Sequence, residues 1–163
     1  MTEASAGAAL SIDLVSEAAT SALAARLARL AHRGDVIALR GELGSGKTSF
    51  ARGFIRALGR GDEEVPSPTF TLVEIYEFPD GKPAVWHFDL YRLAKSEDVY
   101  ELGFEEALGG AALLIEWPER LGPLLPRERL DVELSAGSSP AARRVRLLGN
   151  RAWARRVADL ASS

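Results

Sequence analysis

The sequence predicts one α/β domain with a central, mostly parallel sheet, antiparallel hairpins and helices on both faces. Residues 41–48 are rich in glycine and lie between a run typical of a strand and a run typical of an amphipathic helix. Residues 111–115 form a second, fully apolar run, which is typical of a buried parallel strand. A length of 163 residues, 47% of them hydrophobic, suits a single domain spanning residues 1–163.

The N-terminal part of the chain is predicted to be a tail followed by a helix. Residues 1–10 are expected to form a flexible tail. A helix is predicted from Ser16 to about His32 because leucines recur there at i, i+4 and i+7, with Ser16 or Asp13 as its N-cap. We expect this helix to pack across an edge of the sheet.

The next elements are a strand, a loop and a helix. Residues 35–40 follow Gly34 as a short apolar run and are predicted to be a buried parallel strand. Residues 41–48 read Gly-Glu-Leu-Gly-Ser-Gly-Lys-Thr, which fits G-x-x-x-x-G-K-[ST], the phosphate-binding loop (P-loop) of nucleoside triphosphatases. Gly59 is a C-terminal stop signal for the helix that follows. This order predicts a P-loop NTPase domain.

The chemistry of this loop suits a nucleoside triphosphate with magnesium. Glycines let successive backbone N–H groups face an anion, and the following helix N-terminus adds the equivalent of about +0.5 charge. Lys47 is expected to reach the β- and γ-phosphates, and the Thr48 hydroxyl to bind Mg²⁺. ATP is favoured over GTP because the only asparagine, Asn150, is followed by Arg151 and starts no guanine-specific Asn-Lys-x-Asp segment. The expected nucleotide-binding residues of the loop are Leu43, Gly44, Ser45, Gly46, Lys47 and Thr48.

The remaining chain predicts two hairpins, two helices and one stiff loop. Strand composition and alternating apolar residues predict the hairpins, which are 71–78 with 84–89 and 130–134 with 145–147. Helical spacing predicts a helix over 96–108 and a short terminal helix with Trp153, Val157 and Leu160 on one face. Two prolines place residues 59–68 in an exposed loop.

Two carboxylates are predicted at the C-terminal edge of the sheet. Asp89 and Glu116 each end an apolar, strand-like run, and open α/β sheets bind their ligands at that edge. A triphosphatase needs a carboxylate that holds or orients Mg²⁺ and a means of placing the attacking water. Both acids are candidates for these tasks, and the alternative is a pair of strand-end acids that simply meet water.

Composition excludes several classes of protein. A net charge of −3 argues against a protein that mainly coats nucleic acid. Without cysteine there is no disulfide and no thiolate metal site, so a reducing compartment is expected. The two histidines, His32 and His87, lie far apart, which gives zinc chemistry little support. No apolar run near the N-terminus suits a signal or membrane segment, so a cytoplasmic protein without a membrane partner is expected.

Four motifs resemble, in the same order, those of the bacterial TsaE (YjeE) family. They are the loop 41–48, Ser-Pro-Thr-Phe-Thr-Leu-Val (67–73), His-Phe-Asp-Leu-Tyr-Arg-Leu (87–93) and Glu-Trp-Pro-Glu-Arg (116–120). The resemblance implies a weak, Mg²⁺-dependent ATPase of the tRNA threonylcarbamoyladenosine system, which modifies the adenosine beside the anticodon. It also implies that a TsaD–TsaB complex is the partner, that this chain does not transfer the carbamoyl group and that tRNA is engaged indirectly.

The resemblance also implies roles for single residues. Lys47 and Thr48 would contact phosphate and Mg²⁺. Glu116 would be the second acid on the magnesium side, which makes Thr48 and Glu116 the expected metal ligands. Asp89 would be the Walker-B-type acid needed for hydrolysis, acting either on Mg²⁺ or on water. The expected catalytic residues are therefore Lys47, Asp89 and Glu116.

Three further assignments keep two interpretations each. Trp117 resembles the family aromatic near the adenine, or it has a packing role. Glu17 resembles a family acid near the nucleotide, or it caps the first helix. Thr69 lies in a segment, 67–71, that resembles a switch-like loop, so it either senses the γ-phosphate or belongs to a proline-fixed turn.

The C-terminal arginines depart from the family pattern. An arginine near the nucleotide would fall on Ala141 here, and Arg143 or Arg144 would have to replace it. The wider basic cluster either meets tRNA phosphates or an acidic partner, or forms a solvated face. Its members are Arg143, Arg144, Arg146, Arg151, Arg155 and Arg156.

Polar groups beside Asp89 give another open assignment. His87 and Tyr91 flank this acid and are interpreted as groups that orient it or position water. For His87 the alternative is a structural imidazole.

A small-molecule P-loop kinase is the alternative function, because minimal kinases share the length and the loop. Such kinases usually carry a lid of clustered arginines, whereas residues 96–126 contain only Arg120 as a cation. A nucleotide-dependent regulatory module without meaningful turnover is the third interpretation.

Overall fold

Seven strands form one mixed sheet at the centre of the structure. The computed structural model of the chain describes residues 9–59, 64–66, 68, 71–158 and 160. The strands are β1 (Ala9–Leu14), β2 (Val36–Arg40), β3 (Val73–Tyr76), β4 (Ala84–Asp89), β5 (Ala111–Glu116), β6 (Leu130–Ala136) and β7 (Arg143–Gly149). The helices are α1 (Glu17–Leu30), α2 (Lys47–Leu58), α3 (Phe104–Gly110) and α4 (Arg151–Ala158), with 3₁₀ segments Ser96–Leu102 and Pro118–Leu124.

The strand order across the sheet is β1-β7-β6-β2-β5-β4-β3. The four central strands, β6, β2, β5 and β4, run parallel to one another. The pairs at both ends are antiparallel and include the two predicted hairpins, β3 with β4 and β6 with β7. The predicted parallel centre with antiparallel hairpins is therefore confirmed. Strand β2, which precedes the glycine-rich loop, lies in the middle of the sheet.

Helices cover both faces of the sheet, as predicted. Because strand residues alternate between faces, Ile37 and Leu39 point into a core shared with α1, α2 and α4. Val36 points to the other side, into a core shared with α3 and the 3₁₀ segments. Within the described part of the chain, no helix combines the length and apolar character needed to cross a bilayer.

Helix α1 lies against α2 on one face of the sheet and not across the sheet edge. Ser16 caps α1 by accepting a hydrogen bond from the Ala19 backbone N–H at 3.1 Å, which confirms one of the two predicted caps. The two helices approach so closely at Gly53 that a Cβ there would lie 2.9 Å from the Cα of Ser21. Glycine is therefore required at this helix contact.

The last two residues of the predicted N-terminal tail belong to a strand. Residues 1–10 were expected to be flexible, but Ala9 and Leu10 begin β1, which pairs antiparallel with β7 along its length. Leu10, Ile12 and Leu14 pack on the core from alternate positions. This six-residue edge strand depends on long-range pairing with β7, which local sequence patterns do not show.

The predicted helix over 96–108 is divided in two. Gly103 adopts φ +85°, and a Cβ at this position would lie 3.0 Å from the Trp86 ring. The left-handed backbone of Gly103 ends the first segment and starts α3. The helical spacing was correct, but the break follows from the approach of Trp86.

An ion pair anchors α4 to the rest of the domain. The Arg156 guanidinium donates to both Asp35 carboxylate oxygens, at 2.6 and 3.2 Å, and to the Leu30 carbonyl at 3.1 Å. It also stacks over Trp153, with 4.1 Å between Cζ and the ring centroid. The predicted terminal helix is therefore held by polar contacts as well as by its buried Trp153 and Val157.

We expect Arg156→Ala to lower the free energy of unfolding by about 1.5–3 kcal/mol, because it leaves the mostly buried Asp35 carboxylate without its charged donor. Urea unfolding should show a lower midpoint with an unchanged slope. Arg155→Ala is the matched control, since Arg155 is exposed on the same helix. Equal midpoints for the two variants would contradict this account of the anchor.

Candidate functional site

A cleft of about 480 Å³ opens at the C-terminal ends of the central strands. The glycine-rich loop after β2 forms one wall, and the ends of β4 and β5 form the other. This is the edge at which open α/β sheets bind ligands. The lining residues are Glu17, Leu43, Gly44, Gly46, Lys47, Thr48, Ser49, Asp89, Tyr91, Arg92, Glu116, Trp117 and Arg143.

The glycine-rich loop needs its glycines for steric reasons. A Cβ on Gly41 would lie 2.3 Å from the Ser45 hydroxyl and 2.7 Å from the Leu134 carbonyl. Gly44 and Gly46 adopt φ +78° and +105°, in the left-handed region that glycine favours. Helix α2 then begins at Lys47, so its N-terminus faces the cleft. A loop of this form at a helix N-terminus can bind an anion.

Lys47 is almost fully buried and rests on the loop itself. Its ammonium donates to the carbonyls of Gly41 and Glu42, the latter at 3.0 Å. It also lies 4.0 Å from the centroid of the Trp117 ring, a cation–π distance. Burial lowers the pKa of Lys47, while the negative charges of the nearby acids, above all Glu116, oppose this shift. The ammonium is thus held by neutral acceptors at the mouth of the loop.

Thr48 and Glu116 come together, as predicted from the sequence. The Thr48 hydroxyl lies 3.4 Å from both carboxylate oxygens of Glu116, which is long for a hydrogen bond between oxygens. Adjacent oxygen ligands of an octahedral Mg²⁺ lie about 3 Å apart, since each sits at about 2.1 Å from the ion. The pair therefore fits the spacing and the oxygen chemistry of a magnesium site. In the described part of the chain no three His, Asp or Glu side chains are arranged to hold a metal ion, so protein ligands alone would not complete such a site.

Asp89 lies directly beside Glu116. The two residues are register partners on the parallel strands β4 and β5. Asp89 is buried, and one of its carboxylate oxygens accepts the Tyr91 backbone N–H at 3.1 Å. The structure thus brings Lys47, Thr48, Asp89 and Glu116 to one cleft, which is the grouping predicted from the sequence.

Trp117 and Tyr91 form an aromatic wall of the cleft. Their ring centroids are 5.0 Å apart. The backbone of Trp117 is left-handed at φ 59° and ψ 52°, a conformation that costs a non-glycine residue about 1–3 kcal/mol. The indole covers the Lys47 ammonium, so its observed partner is the lysine and its assignment beside an adenine stays a prediction.

Glu17 and Ser49 line the far end of the cleft. The Ser49 hydroxyl lies 3.4 Å from a carboxylate oxygen of Glu17, which is in the first turn of α1. Ser16, not Glu17, supplies the side-chain cap of this helix. Glu17 therefore faces the cleft, as one of its two interpretations requires.

Arg143 is the C-terminal arginine that reaches the cleft. Its guanidinium donates to the Ser45 carbonyl at 2.8 Å and to the Gly44 carbonyl at 3.1 Å. Arg144 points to the other face of the hairpin and pairs with Asp13. The sequence did not indicate which of the two arginines reaches the nucleotide site, because the register of β7 determines the side that each one faces.

The wider arginine cluster is not one surface. Arg146 pairs with Glu133, and Arg156 pairs with Asp35. Four of the six arginines, Arg143, Arg144, Arg146 and Arg156, therefore have partners within the domain. The exposed pairs of Arg144 and Arg146 fit the solvated interpretation, whereas Arg143 and Arg156 bind groups within the domain.

Two residues that line the cleft were not predicted from the sequence. Ser49 and Arg92 line the cleft, although neither was singled out from the sequence. Ser49 directly follows Thr48 in the first turn of α2, and Arg92 directly follows Tyr91. Their positions next to residues already singled out could have indicated that they lie at the site. The predicted γ-phosphate sensor Thr69 lies outside the described residues.

Comparison with known proteins gives consistent matches. The family model "Threonylcarbamoyl adenosine biosynthesis protein TsaE" matches residues 14–145. A Rickettsia conorii protein named tRNA threonylcarbamoyladenosine biosynthesis protein TsaE is 42% identical over 123 residues, which is 76% of this chain and 69% of that protein. The Bacillus subtilis protein of the same name is 39% identical over 135 residues, which is 81% of this chain and 82% of that protein.

A solved structure shares the fold. The crystal structure of Bacillus subtilis YdiB superposes with a TM-score of 0.78 and 28% sequence identity. The match covers 96% of each chain. Sequence and structure therefore agree over nearly the whole domain.

Proposed function

The chain belongs to the TsaE family, whose members are named for tRNA threonylcarbamoyladenosine biosynthesis, and on that premise we propose that it is the ATP-binding and ATP-hydrolysing component of this modification system. The observation that carries the proposal is the meeting of Lys47, Thr48, Asp89 and Glu116 at the mouth of a glycine-rich loop. These are the groups that phosphoryl transfer needs: a phosphate cradle, a cation, a metal site and an acid near the reacting phosphate.

The proposed site would bind ATP with its phosphates along the loop. Backbone N–H groups of the loop and the α2 N-terminus would face the phosphate oxygens. Lys47 would leave the Gly41 and Glu42 carbonyls and donate to the β- and γ-phosphates. Trp117 and Glu17, at the cleft wall and its far end, are proposed to contact the nucleotide.

Thr48 and Glu116 would hold Mg²⁺ together with phosphate oxygens and water. A bound Mg²⁺ neutralises charge that develops on the transferred phosphoryl group. Glu116 also accepts hydrogen bonds within the domain, so its carboxylate is fixed before the nucleotide binds. Asp89, its neighbour in the sheet, is proposed to be the acid needed for hydrolysis.

Partner proteins are proposed to raise a weak basal activity. Lys47 donates to the loop carbonyls, and one Asp89 carboxylate oxygen accepts the Tyr91 backbone N–H, so both groups would adjust these contacts to act on a phosphate. We propose a TsaD–TsaB type complex as the partner, with tRNA engaged through that complex.

Arg143 is expected to support nucleotide binding by holding the loop. Its guanidinium fixes the carbonyls of Gly44 and Ser45. Because peptide groups are planar and trans, the Gly46 N–H, which follows the Ser45 carbonyl, points away from Arg143. We expect Arg143→Ala to raise the Kd for ATP about 10-fold, corresponding to about 1.4 kcal/mol from two lost hydrogen bonds. Arg144→Ala is the control, since its exposed pair with Asp13 lies on the opposite side. Calorimetric titration that gives one Kd for both variants would refute the role of Arg143.

The proposed function is tested by ATP hydrolysis of the purified chain with Mg²⁺, first alone and then with its matching TsaD–TsaB pair. We expect slow hydrolysis alone, a changed rate with the pair, and a stable complex. If the pair neither binds nor changes the rate, the family role in this system fails for this chain. Transfer of the γ-phosphate to a metabolite would then favour the kinase alternative.

A further inference from the structure

A buried histidine lies directly beneath the carboxylate assigned to magnesium. We propose that His87 is a positioning residue that holds Glu116 in the orientation required for Mg²⁺ binding, an inference that rests on the proposed ATPase function. His87 Nε2 and Glu116 Oε2 are 2.7 Å apart, and the two side chains are 0% and 4% exposed. A hydrogen bond this short, between groups so fully removed from water, fixes the geometry of both side chains.

The sheet register explains why these side chains meet. On the parallel strands β4 and β5, Asp89 pairs with Glu116 and His87 pairs with Leu114. Residues two apart on a strand point to the same face, so His87, Asp89 and Glu116 share one face of the sheet. His87 lies one step farther from the cleft than Asp89, where it reaches Glu116 from the protein interior.

The chemistry of the pair sets the direction of the hydrogen bond. A carboxylate only accepts hydrogen bonds, so Nε2 of His87 donates and Oε2 of Glu116 accepts. Nδ1 of His87 is buried, and the described residues offer it no hydrogen-bond partner. A buried polar atom without a partner is destabilising, and an apolar side chain at this position would avoid that cost. The imidazole, unlike an apolar side chain, forms the hydrogen bond to Glu116.

The consequence for Glu116 is a fixed carboxylate plane. The terminal torsion of a glutamate is soft, so a carboxylate without a second partner rotates over a broad range. With His87 bonded to Oε2, both carboxylate oxygens are held 3.4 Å from the Thr48 hydroxyl. Outer partners that orient metal ligands in this way contribute about 10–100-fold to metal affinity. His87 itself is fully buried and does not line the cleft, so it acts through Glu116 and not on the nucleotide.

The test is calorimetric binding of a non-hydrolysable ATP analogue to the full chain, over a series of Mg²⁺ concentrations and in EDTA. We expect His87→Leu to raise the Mg²⁺ concentration for half-maximal binding by about 10–100-fold. Affinity in EDTA should stay within about twofold, because without Mg²⁺ the orientation of its ligand has no effect. Glu116→Gln, which weakens the metal ligand itself, is the positive control.

Two conservative variants separate positioning from packing. The side-chain amide of glutamine reaches the position of Nε2, so His87→Gln should restore most of the Mg²⁺ response. Asparagine is shorter and places its amide nearer to Nδ1, so His87→Asn should not restore it. Circular dichroism identifies any variant that fails to fold. If His87→Leu does not fold, the difference in Mg²⁺ response between His87→Gln and His87→Asn tests the positioning role.

Each outcome bears on a distinct claim. An unchanged Mg²⁺ response in His87→Leu overturns the positioning role while the proposed function stands. Equal losses in EDTA and in Mg²⁺ also overturn it, because they indicate a packing role. If the unmodified chain binds no nucleotide with Mg²⁺, the proposed function fails and the inference fails with it.

Discussion

Lys47→Ala is expected to reduce the turnover number for ATP by about 10²–10³, the loss typical of removing a group that stabilises charge in the transition state. The affinity for ATP should also fall, since a charged hydrogen bond to phosphate contributes about 1.5–3 kcal/mol. The fold should persist, because among the described residues the direct contacts of the buried ammonium are with loop carbonyls and the Trp117 ring, all at the cleft. Steady-state hydrolysis, calorimetric titration with ATP and urea unfolding measure the three quantities.

The control for this variant is Lys95→Ala. Lys95 is exposed at the start of a 3₁₀ segment, away from the cleft, so the variant has the same change in charge and size. It should keep normal turnover. Unchanged affinity and turnover in Lys47→Ala would count heavily against the assignment of residues 41–48 as a phosphate-binding loop.

Asp89→Asn is expected to separate binding from hydrolysis. Asparagine keeps the size of the side chain, and its amide oxygen still accepts the Tyr91 backbone N–H. If Asp89 positions or deprotonates the attacking water, the turnover number should fall by about 10²–10⁴ while the Kd for ATP changes little. Single-turnover hydrolysis and equilibrium titration on the same preparation give both quantities.

The matched control is Asp80→Asn in the turn between β3 and β4. Asp80 has a left-handed backbone at φ 64°, which asparagine accepts readily. This variant should hydrolyse ATP normally. Parallel loss of binding and turnover in Asp89→Asn would instead move Asp89 to the Mg²⁺ site beside Glu116.

Much of the fold could be predicted because local patterns and global packing agree. The apolar runs that became β2 and β5 are buried on both faces, and such strands have a distinctive composition. The loop between β2 and α2 was identified from glycine spacing, which follows from steric demands such as that at Gly41. The strand-end position of Asp89 and Glu116 was sufficient to bring them together, since neighbouring parallel strands end at the same edge.

The features that could not be predicted depend on contacts between distant parts of the chain. Strand β1 pairs with β7, which lies about 130 residues later in the chain, and its first two residues were predicted to belong to a flexible tail. The register of β7 determines that Arg143, and not Arg144, reaches the loop. A shift of this register by one residue would exchange the faces of the two side chains. The meeting of His87 with Glu116 likewise depends on the register of β4 on β5.

The contact between Gly53 and Ser21 extends the site's sensitivity to substitution beyond the residues that line it. Gly53 lies on α2, the helix whose first two residues are Lys47 and Thr48, yet it faces away from the cleft toward α1. A larger side chain there would press on the Ser21 backbone and displace one helix relative to the other. Since α1 carries Glu17 in its first turn, such a displacement would change the spacing of both helix N-termini at the cleft. We therefore expect few substitutions to be tolerated where α1 and α2 meet at Ser21 and Gly53. Selection for nucleotide binding would act there on residues that do not contact the nucleotide.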